Sequence, residues 1–356
     1  MQKSESGFIG NLGLWLGPAL FIIMRVFPGP DSMPEEAWKT AAVAIWIAVW
    51  WMTEAIPIPA TAQLPHVLLP LLGVTPMKAA AAPYANKVIF LFLGGFMIAQ
   101  AVQRWNLHKR LALKILSLTG THTGTMIAGF MLATAFISMW VSNTATVVMM
   151  MPIGASLVLL VREQIPDETN NHFAICLMLG MAYAASIGGA GTLIGTPPNA
   201  HFAAYLEDQH NRVIEFAEWM RIGVPIVLVS LPITWLVLTR LVYPIKTRRI
   251  DAGQHLIREE TEKLGPMSRG EILTAIVFLL AAGAWIFRQI LSRWVDGLSD
   301  AGIAVAAAIL LFMLPVNLKE RTFVLDWKSA SQIRWDVLLL FGGGLSLAAA
   351  ISQSGL

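Results

Sequence analysis

The sequence predicts an all-α integral membrane protein built as an inverted repeat, and three observations lead to this fold class. Of its 356 residues, 56% are hydrophobic and only 13% are charged, whereas soluble domains carry about 25% charged residues. Apolar segments long enough to cross a bilayer recur along the chain. Two segments of twenty residues, one in each half, also match without gaps. The basic residues lie in loops between apolar segments, a pattern that sets membrane orientation and does not indicate nucleic-acid binding.

The first helix begins soon after the N-terminus, and no cleavable signal peptide is evident, so we expect it to stay in the membrane. The single Cys176 excludes a disulfide framework and a multi-cysteine metal site. The segment 172–205 is too long and too rich in Gly and Pro to be one regular helix. The predicted membrane segments are residues 8–27, 38–56, 58–73, 86–103, 172–205, 222–243, 271–290, 300–316 and 337–356.

A further apolar region, residues 115–161, contains no Asp, Glu, Lys or Arg over 47 residues. As one helix it would be about 70 Å long, more than twice the thickness of a hydrocarbon core. A re-entrant hairpin that enters and leaves the membrane on the same side solves this problem. Its tip then falls at Ser142-Asn143-Thr144, because irregular backbone at membrane depth is tolerated only inside protein or along a cavity.

With this hairpin and a cytoplasmic N-terminus, 17 of the 25 Lys and Arg residues lie inside and 8 outside. The bias follows the positive-inside rule, and it largely vanishes if residues 115–161 cross only once. We therefore expect an integral protein of the bacterial inner (cytoplasmic) membrane with its N-terminus in the cytoplasm. Residues 244–270 are then a charged cytoplasmic linker, with a short surface helix that ends at Gly265-Pro266.

The internal repeat aligns residues 88–107 with residues 337–356, and eight of twenty positions are identical. In the predicted topology the two copies cross the membrane in opposite directions. Inverted repeats of this kind build many secondary transporters, whose binding site lies where broken helices meet near the membrane midplane. The second copy coincides with the last residue given, so we expect the second repeat to be incomplete here and to continue in a longer protein.

Two polar interruptions of the apolar sequence are candidates for such a site. The first is Ser138 with Ser142-Asn143-Thr144, and the second is the segment 186–200, which Pro197-Pro198 must break. Hydroxyl, amide and freed carbonyl oxygens form a hard, neutral ligand set that suits Na⁺, and helix N-termini after each break suit an anion. The alternative is helix–helix packing, in which Ser, Thr and Gly are common.

Other polar residues are weaker candidates. Glu54 stands beside prolines and is expected to have a structural role between helices, although an intramembrane acid can be functional. His66 and His201 are expected to be structural histidines, and Cys176 a buried side chain. The sequence contains no Walker A motif, HExxH motif, paired carboxylates or nucleophile elbow, so no enzyme chemistry is predicted.

Five motifs, which occur in the same order, resemble those of the divalent anion/sodium symporter family. That family carries dicarboxylates, citrate or sulfate, and the resemblance extends from about residue 10 to the end. It implies membrane helices with two re-entrant hairpins in two inverted repeats, a homodimer, and an elevator-type movement of the transport domain. The motifs are WWMTEAIPIPATAQLP, FLGGFMIAQAVQRWNLHKRLAL, SMWVSNTATVVMMMPI, GTPPN and LGPMSRGE.

The resemblance also implies roles for individual residues. The family's first Na⁺ site falls on Ser138, Ser142, Asn143 and Gly195, and its substrate contacts fall on Asn143, Thr144 and Thr196. Pro197, Pro198 and Asn199 match the helix-break motif. The family's second Ser-Asn-Thr motif and second Pro-Pro break do not occur in these 356 residues.

The predicted domain organisation follows the same resemblance. The segments are 1–107, scaffold helices of repeat 1; 108–205, half of the transport domain; 206–243, the last helix of repeat 1; 244–270, the cytoplasmic linker; and 271–356, scaffold helices of repeat 2. The implied function is Na⁺-coupled symport of a small divalent anion, such as the C4-dicarboxylates succinate and malate. The alternatives are Na⁺-independent exchange of a dicarboxylate, citrate or another anion, and a membrane fragment that does not transport.

Overall fold

The computed structural model describes residues 2–164, 168–245 and 249–356, and these residues are mostly helical. Besides α-helices and the turns between them, they form a 3₁₀-helix (Ala82–Ala85), a π-helix (Val237–Val242) and a small hairpin of strands β1 (Pro315–Asn317) and β2 (Thr322–Phe323). The α-helices are α1 (Gln2–Val26), α2 (Glu35–Thr53), α3 (Ile58–Thr61), α4 (Leu64–Leu71), α5 (Met77–Ala81), α6 (Lys87–Arg104), α7 (Leu107–Ser117), α8 (Thr123–Ser138), α9 (Asn143–Gln164), α10 (Glu168–Gly189), α11 (Pro197–His210), α12 (Phe216–Leu236), α13 (Asp251–Lys263), α14 (Arg269–Ile286), α15 (Arg288–Leu291), α16 (Asp300–Met313), α17 (Trp327–Ala330) and α18 (Trp335–Ser354).

Seven helical segments in the described part of the chain are long and apolar enough to cross a membrane. This result agrees with the predicted class of integral membrane protein. The segments are Ile9–Val26, Lys87–Arg104, Asn143–Arg162, Asn171–Gly189, Phe216–Val242, Arg269–Ile286 and Trp335–Ser354.

The predicted span at residues 58–73 is wrong as a regular helix. The chain there forms two short helices, α3 and α4, and each has a proline in its first turn. Proline is tolerated at that position but cannot continue a preceding helix, so the prolines divide the segment. Glu54 has the structural role that we expected, because it ends α2 as an exposed residue in the left-handed conformation with φ of 47°.

The described residues form two compact units, and the division between them falls within α6. The first unit contains residues 1–90 and 334–356. In this unit α1 packs along α2, where the Trp38 indole Nε1 donates to the Met24 carbonyl at 2.7 Å. Helix α18 packs against α2 and α4, and its Ser346 hydroxyl donates to the Ala80 carbonyl at 2.8 Å.

The second unit contains residues 91–333 and surrounds the paired helices α8 and α10. Its core is built from fully buried apolar side chains of α7, α8, α9 and α10, with Phe130 and Phe173 among the largest. Helix α12 packs against both α8 and α10. The broken segments of the chain therefore lie inside a well-packed helical bundle.

The two copies of the repeat form α6 and α18, and equivalent glycines in them have similar surroundings. Gly94 in α6 and Gly343 in α18 occupy the same position in the alignment. A Cβ atom on Gly94 would overlap the Ala304 backbone of α16, and one on Gly343 would overlap the Ala62 carbonyl that follows α3. Both copies therefore use this glycine for close approach to another helical segment, which small residues permit in membrane proteins.

The charged linker between α12 and α14 contains the helix that we expected, α13. Its Glu260 pairs with Lys109 of α7 at 2.9 Å, while Ile257 is buried beneath it. The helix is followed by Gly265 in the left-handed conformation, and α14 then begins with a capping box between Ser268 and Glu271.

Candidate functional site

The first break in the membrane helices lies between α8 and α9. Helix α8 ends at Ser138, and α9 begins at Asn143 after a turn of four residues. The Ser142 hydroxyl accepts a hydrogen bond from the Ala145 amide at 3.3 Å, so Ser142 caps α9. The turn thus ends at Ser142, the first residue of the Ser-Asn-Thr triplet at which the sequence predicted the tip of a hairpin.

The second break lies between α10 and α11, which confirms that residues 172–205 are not one helix. Helix α10 ends at Gly189, and α11 begins at Pro197 with Thr196 in an extended conformation before it. Pro197 and Pro198 occupy the first turn of α11, where the missing amide protons cost nothing. The prolines therefore determine where the helix restarts.

The two breaks meet in the fold. The Thr192 hydroxyl of the second break donates to the Met139 carbonyl of the first. A Cβ atom on Gly189 would lie only 2.6 Å from the Asn143 side-chain oxygen, so the amide packs directly on the end of α10. Segments almost fifty residues apart in the sequence therefore form one polar cluster within the second unit.

Ser138 and Asn143 form the centre of this cluster. The Ser138 hydroxyl donates to the Asn143 Oδ1 atom at 2.7 Å, and Ser138 is fully buried. Gly195 lies close to the Gly189 carbonyl, and a Cβ atom on Gly195 would overlap that oxygen. The predicted sodium ligands Ser138, Asn143 and Gly195 are thus grouped around Gly189, with neutral oxygens as the available ligands.

Asn199 organises the backbone of the second break. Its side-chain Nδ2 atom donates to the Gly189 carbonyl at 2.9 Å and to the Thr192 carbonyl at 2.8 Å. The residue is buried, with 7% of its surface exposed. A single amide in α11 therefore fixes the Gly189 carbonyl at the end of α10 and the Thr192 carbonyl in the turn that follows it.

The predicted substrate residues lie at the N-termini of the helices that follow the breaks. Thr144 is exposed in the first turn of α9, and Thr196 is half-buried immediately before α11. No described hydrogen bond joins either residue to the opposite break. The first turn of α9 carries backbone amides and partial positive charge, which favour a carboxylate, whereas α11 begins with two prolines that have no amide proton and contributes only the partial positive charge of its N-terminus. The assignment of these residues, and of the sodium ligands, stays a prediction.

Sequence reasoning did not single out Gly189 and Thr192, although both lie in the segment that it marked as broken. Their roles depend on partners in α8 and α9 that only the fold identifies. The described residues contain no group of three or more His, Cys, Asp or Glu side chains that could hold a metal. The neutral oxygens of the cluster suit an alkali cation, which would be cargo and not a resident cofactor.

Comparison with known proteins identifies the family. The sodium:sulfate symporter transmembrane region matches residues 11–356. The chain belongs to the sodium:sulfate symporter family. This match confirms the resemblance that the motifs indicated, and it places the chain among transporters and not among enzymes.

Individual members of the sodium:sulfate symporter family are similar over the whole chain. A sodium-dependent dicarboxylate transporter of Staphylococcus saprophyticus is 43% identical over 364 residues, which include all of this chain and 70% of the relative. Sodium-dependent dicarboxylate transporters of two Staphylococcus aureus strains, bovine RF122 and NCTC 8325, are 43% and 42% identical with the same coverage. The chain thus spans about 70% of the length of these relatives.

Proposed function

We propose that this chain carries out Na⁺-coupled symport of a small divalent anion, with C4-dicarboxylates such as succinate and malate as its substrates. The observation that carries the proposal is the meeting of two helix breaks around Ser138, Asn143 and Gly189. Family membership supports the reaction type, and the names of the relatives support the substrate class.

The cation has a chemical reason to bind at this place. The polar atoms that meet there are hydroxyl and amide oxygens and backbone carbonyls, and none carries a full charge. A hard cation such as Na⁺ is attracted by such dipoles. On binding, it would take the place of the Ser138 hydroxyl proton that the Asn143 Oδ1 atom now accepts. We assign Ser138, Ser142, Asn143 and Gly195 to the cation.

The anion has a complementary reason to bind nearby. Helices α9 and α11 both begin at the breaks, so the partial positive charge at their N-termini, together with the backbone amides in the first turn of α9, would stabilise a substrate carboxylate. A bound cation beside it would further offset the cost of removing the carboxylate from water. We assign Asn143, Thr144 and Thr196 to the substrate, and Pro197, Pro198 and Asn199 to the geometry of the break.

Coupling would use the membrane potential as well as the sodium gradient. Each net positive charge that moves inward gains about 2.3 kcal/mol per 100 mV. Import of a dianion with more than two Na⁺ ions therefore draws on both sources. We further propose that α8 and α9 form a re-entrant hairpin, that the transport domain moves as an elevator, and that the protein is a homodimer in the bacterial cytoplasmic membrane.

Uptake of labelled succinate into proteoliposomes tests the proposal. We expect accumulation with an inward Na⁺ gradient and none when K⁺ replaces Na⁺. Equal uptake in both ions would contradict symport and favour Na⁺-independent exchange, which preloaded unlabelled succinate would then stimulate. If succinate is not taken up under any condition, the result would favour the alternative that this chain is a membrane protein that does not transport.

Asn143→Ala tests the site itself. We expect at least a hundredfold loss of Na⁺-driven uptake, because the variant removes an oxygen assigned to both the cation and the substrate. Asn171→Ala is the matched control, since Asn171 is exposed on α10 outside the cluster and should leave uptake unchanged. Normal uptake by Asn143→Ala, with both proteins equally folded by size-exclusion chromatography, would return Asn143 to a packing role.

A further inference from the structure

Thr146, one helical turn beyond the candidate site, is one of three buried threonines among the described residues whose hydroxyl has no hydrogen-bond partner; the others are Thr61 and Thr75. Thr146 in α9 has no exposed surface, and its Oγ1 atom has no hydrogen-bond partner among the described residues. A buried hydroxyl without a partner costs free energy, so such groups are uncommon in native proteins. The position of this one calls for a physical reason.

Other threonines in this protein show the usual solution. A helical threonine can donate its hydroxyl proton to the carbonyl four residues earlier. Six threonines in the described helices do so, at distances of 2.6 to 2.8 Å: Thr40, Thr53, Thr134, Thr239, Thr261 and Thr274.

The corresponding carbonyl for Thr146 belongs to Ser142, the residue that caps α9 at the break. That carbonyl accepts the Thr146 backbone amide at 3.0 Å but not its hydroxyl. The Thr146 hydroxyl therefore remains able to bind another group. The turn that precedes it in the chain is the proposed sodium site.

Helical geometry places Thr146 on the inner side of α9. It begins the buried stripe that continues through Met150, Ile153 and Leu157, and Gly154 beside this stripe faces Met181 of α10. Asn143, three residues before Thr146 in α9, faces Gly189, the last residue of α10. Residues three apart lie about 5–6 Å apart on one side of a helix, so Thr146 lies on the side of α9 that Asn143 presents to Gly189, one turn further along.

We propose that the Thr146 hydroxyl is a further oxygen of the sodium site, which approaches the cation from the inner end of the cluster. This inference rests on the proposed function. A cation would use the oxygen lone pairs that are free in this structure, and its charge would compensate for the cost of burying the hydroxyl. Because Thr146 is on the same helix as Ser142 and Asn143, it would move with them.

The test compares Na⁺ titrations of Thr146→Val and Thr146→Ser. Valine keeps the shape of threonine and removes the hydroxyl, whereas serine keeps the hydroxyl. We expect Thr146→Val to need about tenfold more Na⁺ for half-maximal succinate uptake, because the variant loses one oxygen ligand of the cation; tenfold corresponds to about 1.4 kcal/mol. Thr146→Ser should stay within about twofold of the unchanged protein.

Thr134→Val is the matched control, since Thr134 is equally buried in α8 but donates to its own helix at 2.6 Å. It should leave the Na⁺ titration unchanged. The rise in melting temperature with Na⁺ concentration in detergent gives the same comparison without a transport assay. If Thr146→Val does not fold, Thr146→Ala is the hydroxyl-free variant to use. Equal titrations for the unchanged protein and the hydroxyl-free variants would overturn the Thr146 inference alone. No Na⁺ dependence in the unchanged protein would overturn the proposed function and the inference with it.

Discussion

Asn199 shows how much of the site depends on one side chain. Its amide group donates to two carbonyls of the second break and accepts no described hydrogen bond there in return. The Gly189 carbonyl ends α10 and has no partner within its helix, whereas the Thr192 carbonyl also accepts the Gly195 amide at 3.3 Å. Three of the seven residues from Gly189 to Gly195 are glycines, and the Thr192 hydroxyl donates to Met139, so the shape of the break depends on contacts from α11 and from the turn after α8.

We therefore expect Asn199→Asp to be more harmful than Asn199→Ala. Alanine loses two hydrogen bonds, which would lower stability by about 2 kcal/mol. Aspartate also places a carboxylate against two carbonyl oxygens in a buried position, so its melting temperature should fall further. Thermal unfolding in detergent measures both, with Asn171→Ala as the exposed control. Equal melting temperatures for Asn199→Asp and the unchanged protein would show that the amide does not hold the break.

At the scale of elements, the crossing of α8 and α10 sets the position of the first break relative to the second. The helices approach most closely where Gly188 faces the backbone of Ala135. This contact lies within one turn of both Ser138 and Gly189, the last residues of their helices. Close packing of backbones is possible here only because one partner has no side chain.

The variant Gly188→Ala should separate these helices. Its methyl group would overlap the Ala135 backbone, so we expect a loss of several kcal/mol in stability, of the size seen for overpacked cores. The matched control is Gly283→Ala in α14, where an added Cβ atom meets nothing within 4 Å. That change should be neutral or stabilise by up to about 1 kcal/mol. Similar melting temperatures for the two variants would contradict the close crossing.

Helix α13 is held to the rest of the second unit by a charged contact. Glu260 accepts from Lys263 at 2.7 Å and from Lys109 of α7 at 2.9 Å. These hydrogen bonds, with Lys263 contributing most, hold the pKa of Glu260 below its usual range. A carboxylate with a lowered pKa contributes stability above its unfolded pKa of about 4.3, and this contribution disappears as the pH falls through its lower folded pKa.

Glu260→Gln should therefore lower the melting temperature at neutral pH and make it less sensitive to acid below about pH 4.3. We expect an effect below about 1 kcal/mol, because both lysines are partly exposed and water weakens the ion pairs. Melting curves between pH 3.5 and 7 measure it. Glu262→Gln, on the exposed side of α13, is the control. An unchanged acid response in Glu260→Gln would rule out this carboxylate as its source.

At the scale of the whole molecule, the orientation in the membrane follows from the distribution of Lys and Arg. The predicted topology places the loop after α1 outside and the α12–α14 linker inside. Ser32 and Gln254 are exposed residues in these two segments. The only native cysteine, Cys176, is buried, so Cys176→Ser gives a suitable background for labelling.

In that background, Ser32→Cys should react with a membrane-impermeant maleimide in intact cells, and Gln254→Cys only after permeabilisation. The physical reason is the cost of moving basic loops across the membrane. Labelling followed by gel electrophoresis measures both. The reverse pattern would invert the proposed orientation, and labelling of both in intact cells would contradict the predicted number of crossings between them.

The class of protein, the family and the positions of the two breaks can all be predicted from the amino-acid sequence. Hydrophobicity and charge reveal membrane helices, and Pro197-Pro198 or a polar triplet in apolar sequence reveals a break, because the energetic reasons for both are local. Prolines also divided residues 58–73, where the predicted single helix was wrong. The hydrophobic length of residues 58–73 suits a membrane span, but length does not show where prolines divide a helix.

Which side chains and carbonyls come into contact at the site is known only from the folded structure. The contact of Asn143 with Gly189, the two hydrogen bonds of Asn199 and the unpaired hydroxyl of Thr146 depend on partners in other segments. Two buried threonines differ for this reason. The Thr134 hydroxyl donates to a carbonyl of its own helix, whereas the Thr146 hydroxyl has no described hydrogen-bond partner. Hydrogen bonding and packing at a site depend on distances between segments, and a linear pattern of residues does not contain those distances.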